Sequence, residues 1–204
     1  FFNYFARNGD YFIISKFLGM EQLGLYSRAY TLMNAVDRIL GMVMQKVMFP
    51  TFSEIQNNKN IVIKVLDRSL GLLLPMLIFA SIYCYIYSEA IITIILGKKW
   101  LDVIIPFQIL VLGMTFRVGY RLLASCIKGI GKVYQNSFLQ FIYMLSVIIG
   151  SYLLKDSGII GISIAVCFAL FVHFLFQSIY LIKKGYLYKK KIFEKIFFCF
   201  SIIS

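Results

Sequence analysis

Three stretches of this chain run without an aspartate, glutamate, lysine or arginine for the length of a bilayer crossing. Ser69–Ser88 has 20 residues, Val133–Leu154 has 22 and Ser157–Ile182 has 26. A hydrocarbon core of about 30 Å takes about 20 residues of helix at about 1.5 Å each. Helices this long and this apolar close their own backbone hydrogen bonds, which is what a lipid environment demands. The composition agrees: of 204 residues, 60% are hydrophobic and 15% charged, against about 25% charged in soluble domains. A soluble globular enzyme and a disordered tail are both disfavoured.

Further segments follow by extension. Val103–Phe116 is free of charge and continues through Arg117 and Arg121 to Ile127. Leu25–Pro50 is apolar but interrupted by Arg28, Asp37, Arg38 and Lys46. Phe1–Leu18 reads as the later part of a crossing, and Ile192 opens another. The expected fold is all-α: a polytopic membrane helix bundle of about six transmembrane helices near 1–18, 24–50, 69–88, 103–127, 133–154 and 157–182, with a truncated seventh. Residues 1–182 form the bundle, 183–191 a basic loop and 192–204 the start of the further helix. Both ends fall inside apolar stretches, which predicts a piece of a longer membrane protein.

Turns and breakers divide these segments. Gly129, Gly131 and Lys132 mark one turn, and Lys155-Asp156-Ser157-Gly158 another. Pro106 suits a first helical turn. Pro50 is expected to end the second segment, and Pro75 to kink the third. Ser53–Asp67 reads as a loop or surface helix. Ala90–Gly97 is too short to cross and reads as interfacial, with Trp100 as an anchor.

The net charge is +12. In a soluble protein that would point to nucleic acid. Here the positive residues sort by side. Alternating connections place ten (Lys59, Lys64, Arg68, Lys128, Lys132, Lys183, Lys184, Lys189, Lys190, Lys191) on one face and three (Lys98, Lys99, Lys155) on the other. The positive-inside rule puts the first set in the cytoplasm, so no nucleic-acid partner is expected. The Lys183–Lys191 cluster also suits anionic membrane lipid. Cys84, Cys126, Cys167 and Cys199 sit among apolar residues without a CxxC pair. No metal, disulfide framework or cofactor is expected.

Charge within membrane helices is the functional signal, since each such residue costs about 2.5–3.5 kcal/mol at the helix centre on insertion scales. Ser27, Thr31, Asn34, Arg38, Gly41 and Gln45 follow steps of 4, 3, 4, 3 and 4. That is one helical stripe, polar or small throughout. It fits a water-filled path or, alternatively, interhelical hydrogen bonding in a dry bundle. Arg117, Arg121 and Lys128 share a face of another helix. Arg7 and Asp10 share a face of the first and are expected to pair. Asp37 and Arg38 stand at the centre of the second segment. Guanidinium exceeds carboxylate in this set, which suits a phosphate or pyrophosphate. The candidate substrate ligands are Arg7, Arg38, Arg117, Arg121, Asn34 and Gln45. Asp10 and Asp37 are candidates for ion or proton coupling. His173, with Gln177 one turn on, fits an interhelical hydrogen bond or a proton relay. Gly161, Ala165 and Ala169 form a small-residue packing face.

Arg7-Asn8-Gly9-Asp10, Phe17-Leu18-Gly19 and Leu23-Gly24-Leu25-Tyr26-Ser27-Arg28-Ala29-Tyr30 resemble the seventh and eighth helices of bacterial polysaccharide flippases of the MATE-like MOP superfamily. The likeness continues in Phe49-Pro50-Thr51-Phe52-Ser53, Leu96-Gly97-Lys98-Lys99-Trp100 and Gly158-Ile159-Ile160-Gly161-Ile162-Ser163. The resemblance implies the second of two six-helix lobes around a central cavity in the bacterial inner membrane. Its partners would be the missing first lobe of the same chain, membrane lipids and a lipid-linked oligosaccharide. The implied activity is flipping an undecaprenyl-pyrophosphate-linked oligosaccharide by alternating access, with no bond made or broken. Alternatives are an exporter of lipid II or drugs in the same superfamily, a membrane glycan polymerase or ligase, and a structural membrane subunit.

Overall fold

A computed structural model describes residues 2–187, without the side chains of residues 2–7, 36, 39–40 and 42–44. Its helices are α1 (Phe2–Phe17), α2 (Gly19–Glu54), α3 (Lys59–Ile86), α4 (Ser88–Ile95), α5 (Ile104–Gly129), α6 (Val133–Leu153) and α7 (Gly158–Lys183). Short 3-10 turns at Lys98–Val103 and Lys155–Ser157 lead into α5 and α7. The seventh segment expected from Ile192 lies outside the described residues, as does the basic loop beyond Leu187.

The breaks follow local chemistry. Gly19 has φ +89° between α1 and α2, and Gly158 has φ +67° at the start of α7. Both conformations are left-handed, where a Cβ is strained. Asn58 caps α3 by accepting from the Ile61 amide.

Two boundaries differ from the sequence expectation. Pro50 does not end α2, which continues to Glu54. The proline removes one backbone bond, and Thr51 Oγ1 donates to Val47 O at 2.8 Å beside the gap. Phe52, fully buried, then packs against Gly129, where a Cβ would come within 2.5 Å of the ring-bearing carbon. Tertiary packing holds the last turn. The third helix begins at Lys59 rather than near 69, leaving only residues 55–58 between α2 and α3. Val62, Leu66 and Leu70 are buried at helical spacing, so most of the polar stretch expected to be a loop or surface helix is the first part of α3.

Contacts at the two ends fix the up-and-down path. At one end the Arg28 guanidinium lies 5.3 Å from the Trp100 ring, and Lys155 Nζ lies 4.4 Å from that of Phe17. At the other, Lys59 Nζ donates to Lys184 O at 2.9 Å and Lys128 Nζ stands 5.9 Å from Phe49. The connections after α2, α5 and α7 therefore share an end, as the alternation of basic loops requires. α5 is buried along nearly its whole length, packed by α2, α3 and α7. Gly150 of α6 meets Ala165 of α7, where a Cβ would stand 3.2 Å from the alanine methyl. The small-residue face on α7 thus lets two helices approach closely.

Among the described residues, four stretches are long and apolar enough to cross a membrane: Lys59–Ile86, Lys98–Gly129, Val133–Leu153 and Lys155–Lys183. The first two of the six expected crossings fall short of that measure. α1 shows 16 residues, and α2 carries charge through its middle. The chain is an all-helical, multi-pass membrane protein.

Candidate functional site

The charge in the middle of α2 and α5 meets at their interface. Tyr26, Tyr30, Met33, Asp37 and Gly41 form the inward face of α2, all buried. Arg117 and Arg121 lie one turn apart on α5, on the face turned to them. Arg117 Nε donates to Asp37 Oδ2 at 3.1 Å, and Arg121 Nη2 donates to the same oxygen at 2.7 Å. Arg117 Nη1 also donates to the Tyr30 hydroxyl at 2.7 Å. Asp37 and Arg117 are each 1% exposed and Arg121 8%. In such a low-dielectric setting an ion pair is strong, and an unpaired partner is costly.

Gly41 makes this geometry possible. A Cβ there would stand 2.7 Å from Asp37 Oδ1 and 2.9 Å from Arg121 Nη1. The absence of a side chain lets the Arg121 guanidinium lie against the backbone of α2. Asp37 Oδ1 itself is buried with no hydrogen-bond partner among the described residues.

Asp10 of α1 enters the same region by another route. The Tyr26 hydroxyl donates to Asp10 Oδ2 at 2.6 Å, and the Tyr11 amide donates to Oδ1 at 2.9 Å. Tyr11 meets the rings of Tyr26 and Tyr30 edge-on, with centroids 5.6 Å away in each case. The tyrosines thus bridge the Asp10 carboxylate to the Arg117 guanidinium. Sequence reasoning did not select them. Their signal was the spacing Tyr26, Tyr30, Asp37, Gly41, a helical face that shares Gly41 with the polar stripe; the fold buries that glycine and leaves Thr31 and Arg38 exposed.

The remaining predicted residues are placed as follows. The Arg7 side chain lies outside the described residues, so its expected pairing with Asp10 stays there too. Arg38 is exposed and has no ion-pair partner among the described residues. Asn34 and Gln45 are half-buried, and Asn34 Oδ1 has no hydrogen-bond partner among the described residues. The outward face of α2 carries Arg28, Thr31, Ala35, Arg38 and Lys46, all exposed. The outward faces of α3 and α7 instead show Leu72, Phe79, Ile164 and Phe168. Among the described side chains, α2 thus turns charged and polar groups outward where α3 and α7 turn apolar ones.

His173 bonds within its own helix, to Gln177 at 3.1 Å, and its ring lies 4.8 Å from that of Tyr143 on α6. Beside that intrahelical bond, the imidazole meets α6 at the Tyr143 ring and at the Leu139 backbone, so it joins two helices. No group of three or more metal-ligating side chains occurs among the described residues.

Residues 1–105 match the family described as "Polysaccharide biosynthesis protein", just over half of the 204-residue chain. The chain belongs to this family. It is also similar to the teichuronic acid biosynthesis protein TuaB of Bacillus subtilis (strain 168), 26% identical over 149 residues. That match covers 71% of this chain and 31% of the relative. The structure of the lipid II flippase MurJ in an inward closed conformation shares the fold, with a TM-score of 0.80 at 17% identity. It matches 99% of this chain and 45% of the flippase. The chain thus spans less than half the length of these relatives. Family and fold agree with the resemblance to polysaccharide flippases of the MOP superfamily.

Proposed function

We propose that this chain is the second lobe of a bacterial inner-membrane flippase that moves undecaprenyl-pyrophosphate-linked oligosaccharide across the bilayer for polysaccharide or lipopolysaccharide biosynthesis. The observation that carries the reading is the polar outward face of α2, with exposed Arg38 at its centre and the Asp37–Arg117–Arg121 cluster behind it. Lipid would not tolerate that face, whereas a hydrated cavity against a partner lobe would. Arg38 and Arg121 are the headgroup ligands, with Arg7 a third candidate. Arg117 positions Asp37 and Tyr30 from behind. Asn34 and Gln45, half-buried beside Arg38, meet sugar hydroxyls. Asp10 and Asp37 are the residues through which an ion or proton gradient would act.

Transport then follows from rocking of the two lobes about this face, exposing it to each side in turn. The charged headgroup stays in the hydrated cavity while the prenyl tail remains in lipid. No bond is made or broken.

The test is Arg38→Gln in the full-length protein, with export of lipid-linked saccharide measured beside membrane abundance. Export falls at least about tenfold at unchanged abundance, the scale of one lost charge-assisted hydrogen bond. Normal export removes the headgroup role. A lipid II cargo is the second reading, favoured by the fold shared with the lipid II flippase. Binding assays with both lipids separate the two.

A further inference from the structure

The two arginines on Asp37 are not equivalent. Arg117 is 1% exposed and is held by two acceptors, Asp37 Oδ2 and the Tyr30 hydroxyl. Arg121 is 8% exposed, and Asp37 is its one side-chain acceptor among the described residues. Both donate to the same oxygen, while Oδ1 accepts nothing among the described residues. Withdrawing Arg121 leaves Asp37 paired one-to-one with Arg117. Withdrawing Arg117 would break two bonds and strand a buried guanidinium. Asp10, tied to Arg117 through Tyr26 and Tyr30, supplies a second carboxylate to the cluster, so Arg117 keeps its partners when Arg121 leaves.

Arg121 packs against the α2 backbone at Gly41, whose missing side chain leaves it room. Arg38 stands three residues away on the same helix and is exposed. A phosphate at Arg38 would therefore approach α2 one turn from the glycine on which Arg121 rests.

We propose that Arg121 is the exchangeable ligand of this site: it leaves Asp37 for the phosphate of an arriving headgroup, while Arg117 stays with Asp37 and Tyr30. Asp37 then acts as an internal placeholder that neutralises Arg121 between cargo molecules. This rests on the headgroup reading above and adds an order of events to it. Because Asp37 competes with the cargo, its charge sets how tightly a phosphate is held.

The experiment uses the full-length protein with inorganic pyrophosphate as the probe. Phenylglyoxal labelling, resolved by residue with mass spectrometry, reports which arginines the anion covers. Pyrophosphate protects both Arg38 and Arg121, and Arg117 stays unmodified with or without it. Asp37→Asn raises pyrophosphate affinity about tenfold, and adding Arg121→Gln abolishes that gain. Protection confined to Arg38 overturns the exchange and leaves the headgroup reading standing. Protection of neither arginine overturns both. An Asp37→Asn protein that binds pyrophosphate no better than wild type overturns the placeholder role. Where Asp37→Asn fails to fold, the labelling of the wild-type protein decides.

Discussion

Gly41 lies directly beneath Arg121: a Cβ on the glycine would stand 2.9 Å from Nη1 and 3.0 Å from Cδ of the arginine. A position with no side chain on α2 thus sets where a guanidinium from α5 can rest. The consequence is testable. Gly41→Ala pushes Arg121 away from Asp37, at the cost typical of overpacking, about 1–3 kcal/mol. Thermal denaturation of the full-length protein in detergent should show the loss. A lowered midpoint is expected for Gly41→Ala, and none for alanine placed at Gly24, which has open space around it.

Asp37 and Arg117 depend on one another. Removing one partner of a buried pair costs about 3–5 kcal/mol, because the survivor keeps its charge without compensation. Asp37→Ala and Arg117→Ala should each reduce the folded fraction sharply. The double variant should lose much less than the sum. A double-mutant cycle on denaturation midpoints measures this, and additive losses would show that the two side chains do not interact.

Asp10 is tied to α2 through a single hydroxyl, the 2.6 Å bond from Tyr26. Tyr26→Phe keeps the ring in its fully buried place and removes only the donor. The carboxylate oxygen is then left short of a partner, at a cost of about 1–3 kcal/mol. Tyr26→Phe should lower the thermal midpoint, whereas Tyr152→Phe, on an exposed ring near the end of α6, should leave it unchanged.

Much of this architecture was legible from runs of apolar residues. The crossings expected at 103–127, 133–154 and 157–182 match α5, α6 and α7 to within two residues. Where charge entered a helix, the pattern misled. Lys64 and Asp67 left 53–67 open as a loop or surface helix, although Val62, Leu66 and Leu70 carry one helical period straight into the crossing. Pro50 was read as a stop because the sequence does not reveal that Phe52 would find a seat on Gly129.

The site divides in the same way. Spacing correctly put Arg117 and Arg121 on one face and Asp37 at the centre of α2. It could not pair them, because the partner of a buried charge is chosen by how two distant helices pack. The surplus of guanidinium, read as one pool, separates into Arg117 and Arg121 held by Asp37 and Arg38 left exposed. Tyr26 and Tyr30 passed as aromatic core, and only the three-dimensional fold shows their hydroxyls on Asp10 and Arg117.

The central claim is that the outward face of α2 borders water rather than lipid or a dry helix interface. Single cysteines at Asn34 and Arg38 of the full-length protein, with the native cysteines replaced, test it by reaction with a membrane-impermeant thiol reagent. Labelling is expected at both positions and not at Phe168, which is 65% exposed on the apolar face of α7. Unreactive cysteines at Asn34 and Arg38, in protein that remains folded in the membrane, would contradict a hydrated cargo path along this helix.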